Sequence, residues 1–404
     1  MVVGIVCEYN PFHNGHLYHI NKIREELGED TTIVAVMSGN YVQRGGTAIA
    51  DKALRAKCAV LSGVNLVLEL PFPFSMSSAE FFASSAVHIL NSIGCVDYIS
   101  FGSESGDVEA LAQIARGMIS PEYAARVESL SVSDECKKLG YPQICKMALM
   151  DVCKDADFEI LDSPNNILAI EYIKTLMLTE SKITPHTIKR TGAHFLEEKI
   201  LDGEIQSATA IRAGINAKDL SALEYIPQIT KREFLDAIEM GLFPCDADKL
   251  SSAIISSFRI NSPADICDIH DAAGGLYNRL RDLSFETNSL EKLVCLAETK
   301  KFTRARIRRA IFNSLLSVTS SHIRQLPMYT QILALDTAGR TILKEIRKRS
   351  DLPILTKPSD TDSLSEAALK QKQFADRADS LFQLTKPVFE DGRSALKLTP
   401  YVKK

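Results

Sequence analysis

The sequence lacks the signatures of several common protein classes. Its nine cysteines form no C-x-x-C pair, which argues against a zinc ribbon or a thioredoxin-type site and indicates free or buried thiols in a reducing compartment. No apolar run approaches the ~18–20 residues that a helix needs to cross a bilayer. The N-terminus enters a strand at once, without the basic and apolar segments of a signal peptide. We therefore expect a cytoplasmic protein with no membrane association.

The chain as a whole also has no net positive charge. The 404 residues carry a formal net charge of −4, so total charge does not indicate a nucleic-acid partner and any basic surface must be local. The dinucleotide fingerprint G-x-G-x-x-G is absent after the first predicted strand, which argues against an ordinary NAD-binding domain. The composition is that of an ordinary globular protein. The chain length predicts two or three domains.

The most informative stretch lies at the turn from the first predicted strand into the first predicted helix. Residues 2–7 form a β-branched apolar run, and apolar side chains recur near helical spacing from Leu17 to Leu27. In an open α/β sheet, ligands bind outside the carboxyl ends of the strands, and a helix N-terminus there favours phosphate. The candidate binding residues of this turn are Cys7, Glu8, Tyr9, Asn10, Pro11, Phe12, His13, Asn14, Gly15 and His16.

Two histidines in this stretch are candidate catalytic groups. His13 and His16 are three residues apart, so they share a face if the first helical turn has begun. Imidazoles placed there can donate hydrogen bonds to a triphosphate and stabilise the charge that grows on a departing pyrophosphate. The residues alone leave two alternatives open: a surface loop with solvated histidines, and half of a metal site.

Strands and helices alternate in the N-terminal part of the chain, which predicts a parallel, doubly wound sheet. Two further strand exits are rich in glycine and should lie beside the first motif. Gln43 and Arg44, in the first of these, are candidates for contacting substrate or phosphate, although a plain flexible connection is the alternative. Arg55 either points towards phosphate or lies on an exposed basic face. Gly102, in the second exit, leaves room for adenine or ribose against the backbone.

Five later positions are candidates for holding a nucleotide. Asn165 opens a helix, where a cap or turn role is the alternative. Arg190 ends a further predicted strand, where phosphate binding and a surface salt bridge are equally consistent. Ser207, Thr209 and Arg212 begin another helix, whose hydroxyls, N–H groups and guanidinium suit the β- and γ-phosphates. A simple capped helix is the alternative for these three residues.

The rest of the chain is predicted to be mainly helical up to a dense basic segment, which Thr303 is expected to cap. Its cations fit contact with an RNA phosphate backbone, and a solvated helix face is the alternative. A small α/β unit follows, which either extends the RNA surface or packs as a lid. The basic residues are Lys300, Lys301, Arg304, Arg306, Arg308 and Arg309.

These motifs resemble those of a known family. His13-Asn14-Gly15-His16 resembles the His-x-Gly-His signature of the nucleotidyltransferase superfamily, and the string from Gly4 to His19 is similar to that of the bacterial tRNA(Met) cytidine acetate ligases. The segment from Gln206 to Arg212 resembles the superfamily's second signature, although Ala208 stands where serine is commoner. The resemblance implies a Rossmann-like catalytic domain, a helical domain with a tRNA-binding helix and a small C-terminal α/β region, at 1–215, 216–326 and 327–404.

The resemblance also implies roles for the candidate residues. ATP would be bound by the stretch from Cys7 to His16 together with Gly102, Asn165 and Arg190, with Ser207, Thr209 and Arg212 as further phosphate contacts. The basic segment would bind tRNA. Mg²⁺ is expected with ATP, but the sequence shows no dedicated carboxylate cage and no other metal site.

The implied reaction is an ATP-dependent ligation. Acetate attacks the α-phosphate of ATP, pyrophosphate leaves, and the N4 amine of the wobble cytidine of elongator tRNA(Met) takes the acetyl group from acetyl-adenylate. No obligate protein partner is evident. Two rival functions remain: a small-metabolite adenylyltransferase of the pantetheine-phosphate or nicotinamide-mononucleotide type, which has no need of a basic helix, and a non-catalytic RNA-binding protein.

Overall fold

The computed structural model describes residues 1–133, 139–154, 156–190, 206–261 and 268–404. The strands are β1 Val2–Cys7, β2 Thr32–Ser38, β3 Leu66–Leu70, β4 Tyr98–Ser103, β5 Thr184–Lys189, β6 Thr330–Leu335, β7 Ile354–Leu355 and β8 Tyr401–Val402. The α-helices are α1 Asn14–Leu27, α2 Lys52–Leu61, α3 Ala79–Ser92, α4 Val108–Met118, α5 Pro121–Val132, α6 Tyr141–Val152, α7 Pro164–Leu178, α8 Ala208–Asn216, α9 Gln228–Glu239, α10 Ser251–Ile260, α11 Leu276–Ser284, α12 Leu290–Ala297, α13 Arg304–Leu316, α14 Ser320–Arg324, α15 Thr337–Arg349 and α16 Glu366–Phe382.

The strands form one mostly parallel sheet in the order β5-β4-β1-β2-β3-β6-β7, and β8 pairs with β6. Strands β1 to β5 are parallel, as the sequence predicts, whereas β6 runs antiparallel to β3. The chain builds outward from β1 through β2 and β3, then returns to place β4 on the other side of β1. This reversal makes the gap between β1 and β4 the topological switch point, where open α/β sheets bind their ligands.

Both faces of the sheet are covered because alternate side chains of the central strands point to opposite sides. Val34, Val36 and Leu68 pack in a core with α3, α4, α7 and α15. Ile33 and Met37 pack on the other face with α1, α2, α8 and α9. Full burial of each such side chain stabilises the fold by about 1.5–3 kcal/mol relative to exposure.

The C-terminal residues complete this sheet instead of standing apart from it. Thr330–Leu335 is buried along its whole length beside β3, so an apolar strand that would be unstable as an exposed edge is covered on both sides. The α/β region expected at 327–404 is therefore continuous with the sheet of the first 215 residues. The division at residues 215 and 326 stays a prediction.

A third core joins the helical part of the chain to the sheet. Side chains of α10 to α13 pack with Phe374 and Phe382 of α16 and with Tyr41 and Phe72, which follow β2 and β3. The helices thus reach the strand exits at the carboxyl edge of the sheet. Among the described residues, no helix combines the length and the apolar character needed to span a membrane.

Candidate active site

The start of α1 is a reciprocal cap built from two histidines. The backbone N–H of Gly15 donates to Nδ1 of His13 at 3.0 Å, and the backbone N–H of His13 donates to Nδ1 of His16 at 3.2 Å. The same geometry usually employs serine or threonine at the first position and glutamate or glutamine at the second. Because both Nδ1 atoms accept, the proton of each neutral ring lies on Nε2. The two ring centroids are 3.8 Å apart, so the sequence correctly placed these side chains together.

Both histidines are neutral at physiological pH. Burial, assisted by the positive charges of Arg190 and Arg212, lowers the pKa of His13 to about 3. Burial, with His13 and Arg190 nearby, holds the pKa of His16 well below its usual range. The pair therefore offers two neutral N–H donors, and the positive charge of the site comes from the guanidinium groups.

These buried histidines make the fold acid-sensitive. An unfolded histidine has a pKa near 6.5, so below that pH the unfolded chain binds more protons than the native one. The stability contribution is complete above about pH 6.5 and is lost as the pH falls towards the lowered folded value. The slope reaches about 1.4 kcal/mol per pH unit for His13. Urea denaturation at pH 7, 6 and 5 should show a steeper loss in the wild type than in His13→Asn, and equal slopes would contradict the neutral assignment.

The turn before α1 is held by the loop that follows β2. Glu8 accepts the backbone N–H of Gln43 on Oε1 at 2.7 Å, and Asn10 accepts the N–H of Ile49 on Oδ1 at 2.8 Å. Arg212 donates to the backbone carbonyl of Asn10 at 2.7 Å. Burial raises the pKa of the neighbouring Cys7 thiol, so it stays protonated. Much of this stretch is therefore engaged in shaping the turn.

The suggestion that Arg55 points towards phosphate is wrong. Its side chain is fully buried and donates to backbone carbonyls at the ends of β1 and β2. The bonds to Glu8 and Ser38 measure 2.6 and 3.1 Å, and the guanidinium also bonds the carbonyl of Gly39. Arg55 thus ties two strand exits together, and the alternative prediction of an exposed basic face is also wrong because the side chain is fully buried.

The carboxylate of Glu104, just after β4, brings together two of the candidate residues, Asn165 and Arg190. Asn165 donates to Oε1 of Glu104 at 2.5 Å, the backbone N–H of Asn166 donates to Oε2 at 3.0 Å, and Nε of Arg190 lies 3.9 Å from Oε1. A Cβ atom on Gly102 would lie 3.2 Å from Cγ of Arg190. Sequence reasoning missed Glu104, although an acid in a Gly/Ser-rich strand exit was the available signal.

The second signature lies against the first, since Arg212 donates to the backbone carbonyl of Asn10. Ser207 caps α8 by accepting the N–H of Ala210 at 3.0 Å, and Arg212 donates to Oγ1 of Thr209 at 3.1 Å. Burial lowers the pKa of Arg212; Glu8 opposes this effect, and Arg44 and Arg308 add to it. The site therefore concentrates positive charge at the carboxyl ends of β1 and β2, which suits a polyphosphate.

The basic helix borders this site but uses many of its cations internally. Thr303 caps α13 as expected. Arg304 and Arg308 both pair with Glu291, and Arg309 pairs with Asp271 at 2.6 Å.

The same helix packs closely on the loop after β2. A Cβ on Gly45 would lie 2.5 Å from the backbone nitrogen of Arg309, so only glycine fits there. The guanidinium of Arg309 also reaches the carbonyl of Gln43 at 3.5 Å. Arg309 is therefore a buried connection between helix and loop, and its side chain is not part of an exposed cationic face.

The residues present do not form a magnesium site of their own. Within the part of the chain that the structure describes, no group of three or more His, Cys, Asp and Glu side chains is placed to hold a metal ion. The carboxylates nearest the motifs already accept protein hydrogen bonds, Glu8 from Gln43 and Glu104 from Asn165 and Asn166. No step of the chemistry is therefore assigned to a metal bound by this chain.

Comparison with known proteins gives a match over nearly the whole chain. The family model described as HIGH Nucleotidyl Transferase covers residues 1–394. A tRNA(Met) cytidine acetate ligase from Thermoanaerobacter sp. (strain X514) is 40% identical over 378 residues, with 92% of each chain covered. Another, from Alkaliphilus metalliredigens (strain QYMF), is 34% identical and covers 100% of this chain and 99% of its own.

Two solved structures have the same fold throughout. Thermotoga maritima TmcAL in its apo form superposes with a TM-score of 0.92 at 32% identity, with 100% of both chains covered. The same protein bound with alpha-thio ATP gives a TM-score of 0.90 at 31% identity, again over 100% of both chains.

Proposed function

We infer the function of this protein from the family to which it belongs, that of the tRNA(Met) cytidine acetate ligases among the HIGH nucleotidyl transferases. The protein is an ATP-dependent ligase that acetylates N4 of the wobble cytidine of elongator tRNA(Met). The observation that carries this conclusion is the end-to-end structural likeness to TmcAL with alpha-thio ATP bound. We propose a cytoplasmic location, which a tRNA substrate and ATP support.

The first half-reaction takes place at the switch point between β1 and β4. An acetate oxygen attacks the α-phosphorus of ATP, the bond from that phosphorus to the bridging oxygen breaks, and pyrophosphate leaves. We assign the Nε2–H groups of His13 and His16 to the phosphate oxygens on which charge grows. Arg190 and Arg212 supply the positive charge. Any Mg²⁺ would arrive with ATP as part of that co-substrate.

The second half-reaction joins the acetyl group to RNA. The N4 amine attacks the acetyl carbon of acetyl-adenylate, the bond from carbon to the phosphate oxygen breaks, AMP leaves and the nitrogen loses one proton. The neutral histidines are poor acceptors for that proton because their pKa values are so low. Orientation of the two reactants accounts for most of the expected acceleration in this step.

Incorporation of labelled acetate into unmodified tRNA, with and without ATP, tests this function directly. ATP-dependent label recovered as N4-acetylcytidine is the expected result. Transfer of AMP to a phosphorylated metabolite, without label in RNA, would identify a small-metabolite adenylyltransferase instead. Binding of RNA and nucleotide without any turnover would identify a non-catalytic protein.

Glu291 is expected to compete with RNA for the arginines of α13. Its carboxylate bonds Arg304 at 3.1 Å and also bonds Arg308, in a pair exposed enough that it contributes only about 0–1 kcal/mol. An RNA phosphate would replace this carboxylate, so Glu291→Gln should tighten tRNA binding by about three- to tenfold. Dissociation constants measured across a salt series check this expectation.

A matched control is Glu345→Gln, which removes an exposed carboxylate paired with Lys348 on α15. If both variants tighten binding equally, the change reflects total charge only. Unchanged binding in Glu291→Gln would show that Arg304 and Arg308 do not contact tRNA.

A further inference from the structure

A cleft lies outside the residues assigned to ATP, where three segments of the chain meet. The end of α5, the start of α6, the turn before α13 and the first turn of α13 line an open cleft of about 310 Å³. This volume is at the small end of the range for small-molecule sites, about 300–1,000 Å³. The lining combines apolar and cationic side chains: Leu139, Tyr141, Ile144, Lys301 and Arg306.

Tyr141 gives the cleft an accessible aromatic surface. Tyr141 is the first residue of α6 and is 63% exposed, so its ring is not packed in a hydrophobic core. An exposed aromatic ring is a platform on which a nucleic-acid base can stack.

The cations of the cleft are held without neutralising their charge. Lys301 donates to the carbonyl of Gly274 at 3.2 Å, and Arg306 donates to the carbonyls of Asp271 and Ala273 at 3.0 and 2.8 Å. Both cations also lie over the ring of Phe302, at 5.2 and 5.3 Å from its centroid. Within the described residues, neither forms a salt bridge. Their positions are therefore fixed while their charge stays available to an anion.

The cleft is close to the reaction site along α13. Arg306 and Arg309 are three residues apart on this helix, a rise of about 4.5 Å, and Arg309 contacts the carbonyl of Gln43 in the loop beside the first motif. The cleft therefore lies about one helical turn from the helix residue that contacts the loop beside the first motif.

We propose that this cleft binds one unpaired nucleotide of the RNA substrate, other than the cytidine that is acetylated. The base stacks on Tyr141, and its phosphate pairs with Lys301 and Arg306. An aromatic face beside two cations fits a single-stranded nucleotide better than a base-paired one, whose faces are already stacked. This inference rests on the proposed function, and it adds a second point at which the tRNA is held.

The affinity of unmodified elongator tRNA(Met) transcript for a small set of full-length variants tests the cleft. Tyr141→Ala should weaken binding about five- to 150-fold, since stacking contributes about 1–3 kcal/mol per base. Tyr141→Phe, which keeps the ring, should stay within about threefold of the wild type. Lys301→Gln should reduce the steepness of the salt dependence by about 0.7 in logarithmic slope, the value for one phosphate contact on a single strand.

Phe285→Ala is the matched control, because that ring is 61% exposed and lies under Arg259 at 5.5 Å. It should bind tRNA like the wild type, and urea midpoints should show that all variants are folded. If Tyr141→Ala binds like Phe285→Ala while the wild type acetylates tRNA, the cleft is not an RNA site and the proposed function stands. If the wild type neither binds nor acetylates tRNA, the proposed function falls and the cleft loses its assigned ligand.

Discussion

Replacing His13 by asparagine or His16 by glutamine is expected to lower the rate of acetyl-adenylate formation by about 10²–10³-fold without unfolding α1. Asparagine is among the best residues at the first position of a helix cap, and glutamine is common at the third helical position, where it accepts the same backbone N–H. Each change therefore preserves the cap but removes an imidazole Nε2–H donor. Loss of one such donor typically reduces kcat by this amount.

Acetate-dependent exchange of pyrophosphate into ATP measures this step without any tRNA. Lys22→Gln serves as the control, because Lys22 lies further along α1 and pairs with Glu25 near the surface. Wild-type exchange by the two histidine variants would refute the assignment of the phosphate donors. A low rate with an unchanged urea midpoint would support it. Comparison of His16→Ala with His16→Gln would then measure the loss of stability that results from losing the cap.

Replacing Lys52 by methionine is expected to destabilise the protein by about 3–5 kcal/mol. Lys52 is 4% exposed and its ammonium lies 2.7 Å from Glu69 and 2.6 Å from Asp379. Removing it leaves two buried carboxylates without their counter-ion, which is among the most costly single changes in a folded protein. The loop after β2 should loosen as well, because Asn40 donates to Asp379 at 2.9 Å. Urea denaturation and pyrophosphate exchange measure the two effects.

The pH dependence identifies the cause of this loss. In the wild type, burial raises the pKa of Glu69 while Lys52 opposes the rise. Without Lys52 the folded pKa rises further, so the native state gains by binding protons and stability falls as the pH increases. This direction is opposite to that expected for the buried histidines. Lys57→Met, on the same helix, removes a surface pair with Glu233 and should cost no more than about 1 kcal/mol.

The parts of the fold that depend on local pattern were predictable. Apolar runs and turn chemistry identified the strands of the doubly wound sheet, and the strand-to-helix turn placed His13 and His16 at its carboxyl edge. Local caps such as Asp51 and Ser207 decide where helices begin. The family resemblance was based on sequence motifs within these same local segments.

Features that depend on distant partners were not predictable. The pairing of β6 with β3 joins segments about 260 residues apart, and no periodicity specifies which strand covers which edge. The salt-bridge partners of α13 were not predictable either. Asp271 and Glu291 lie outside the basic segment, yet they form salt bridges with several of its arginines. Glu104 was overlooked because its partners, Asn165 and Arg190, are far away in sequence.

The connection of α16 to the loop after β2 has a consequence for synthesis of the chain. Both signature motifs are complete once residue 212 has been made, but Asp379, which binds Lys52 and Asn40, is made more than 160 residues later. Strand β3 likewise waits for β6. Until then a growing chain exposes an apolar strand edge and carries a loop that lacks its anchor, which makes it a substrate for chaperones. We therefore expect a chain that ends before Asp379 to hold the loop after β2, and with it the ATP site, less firmly than the 404-residue chain.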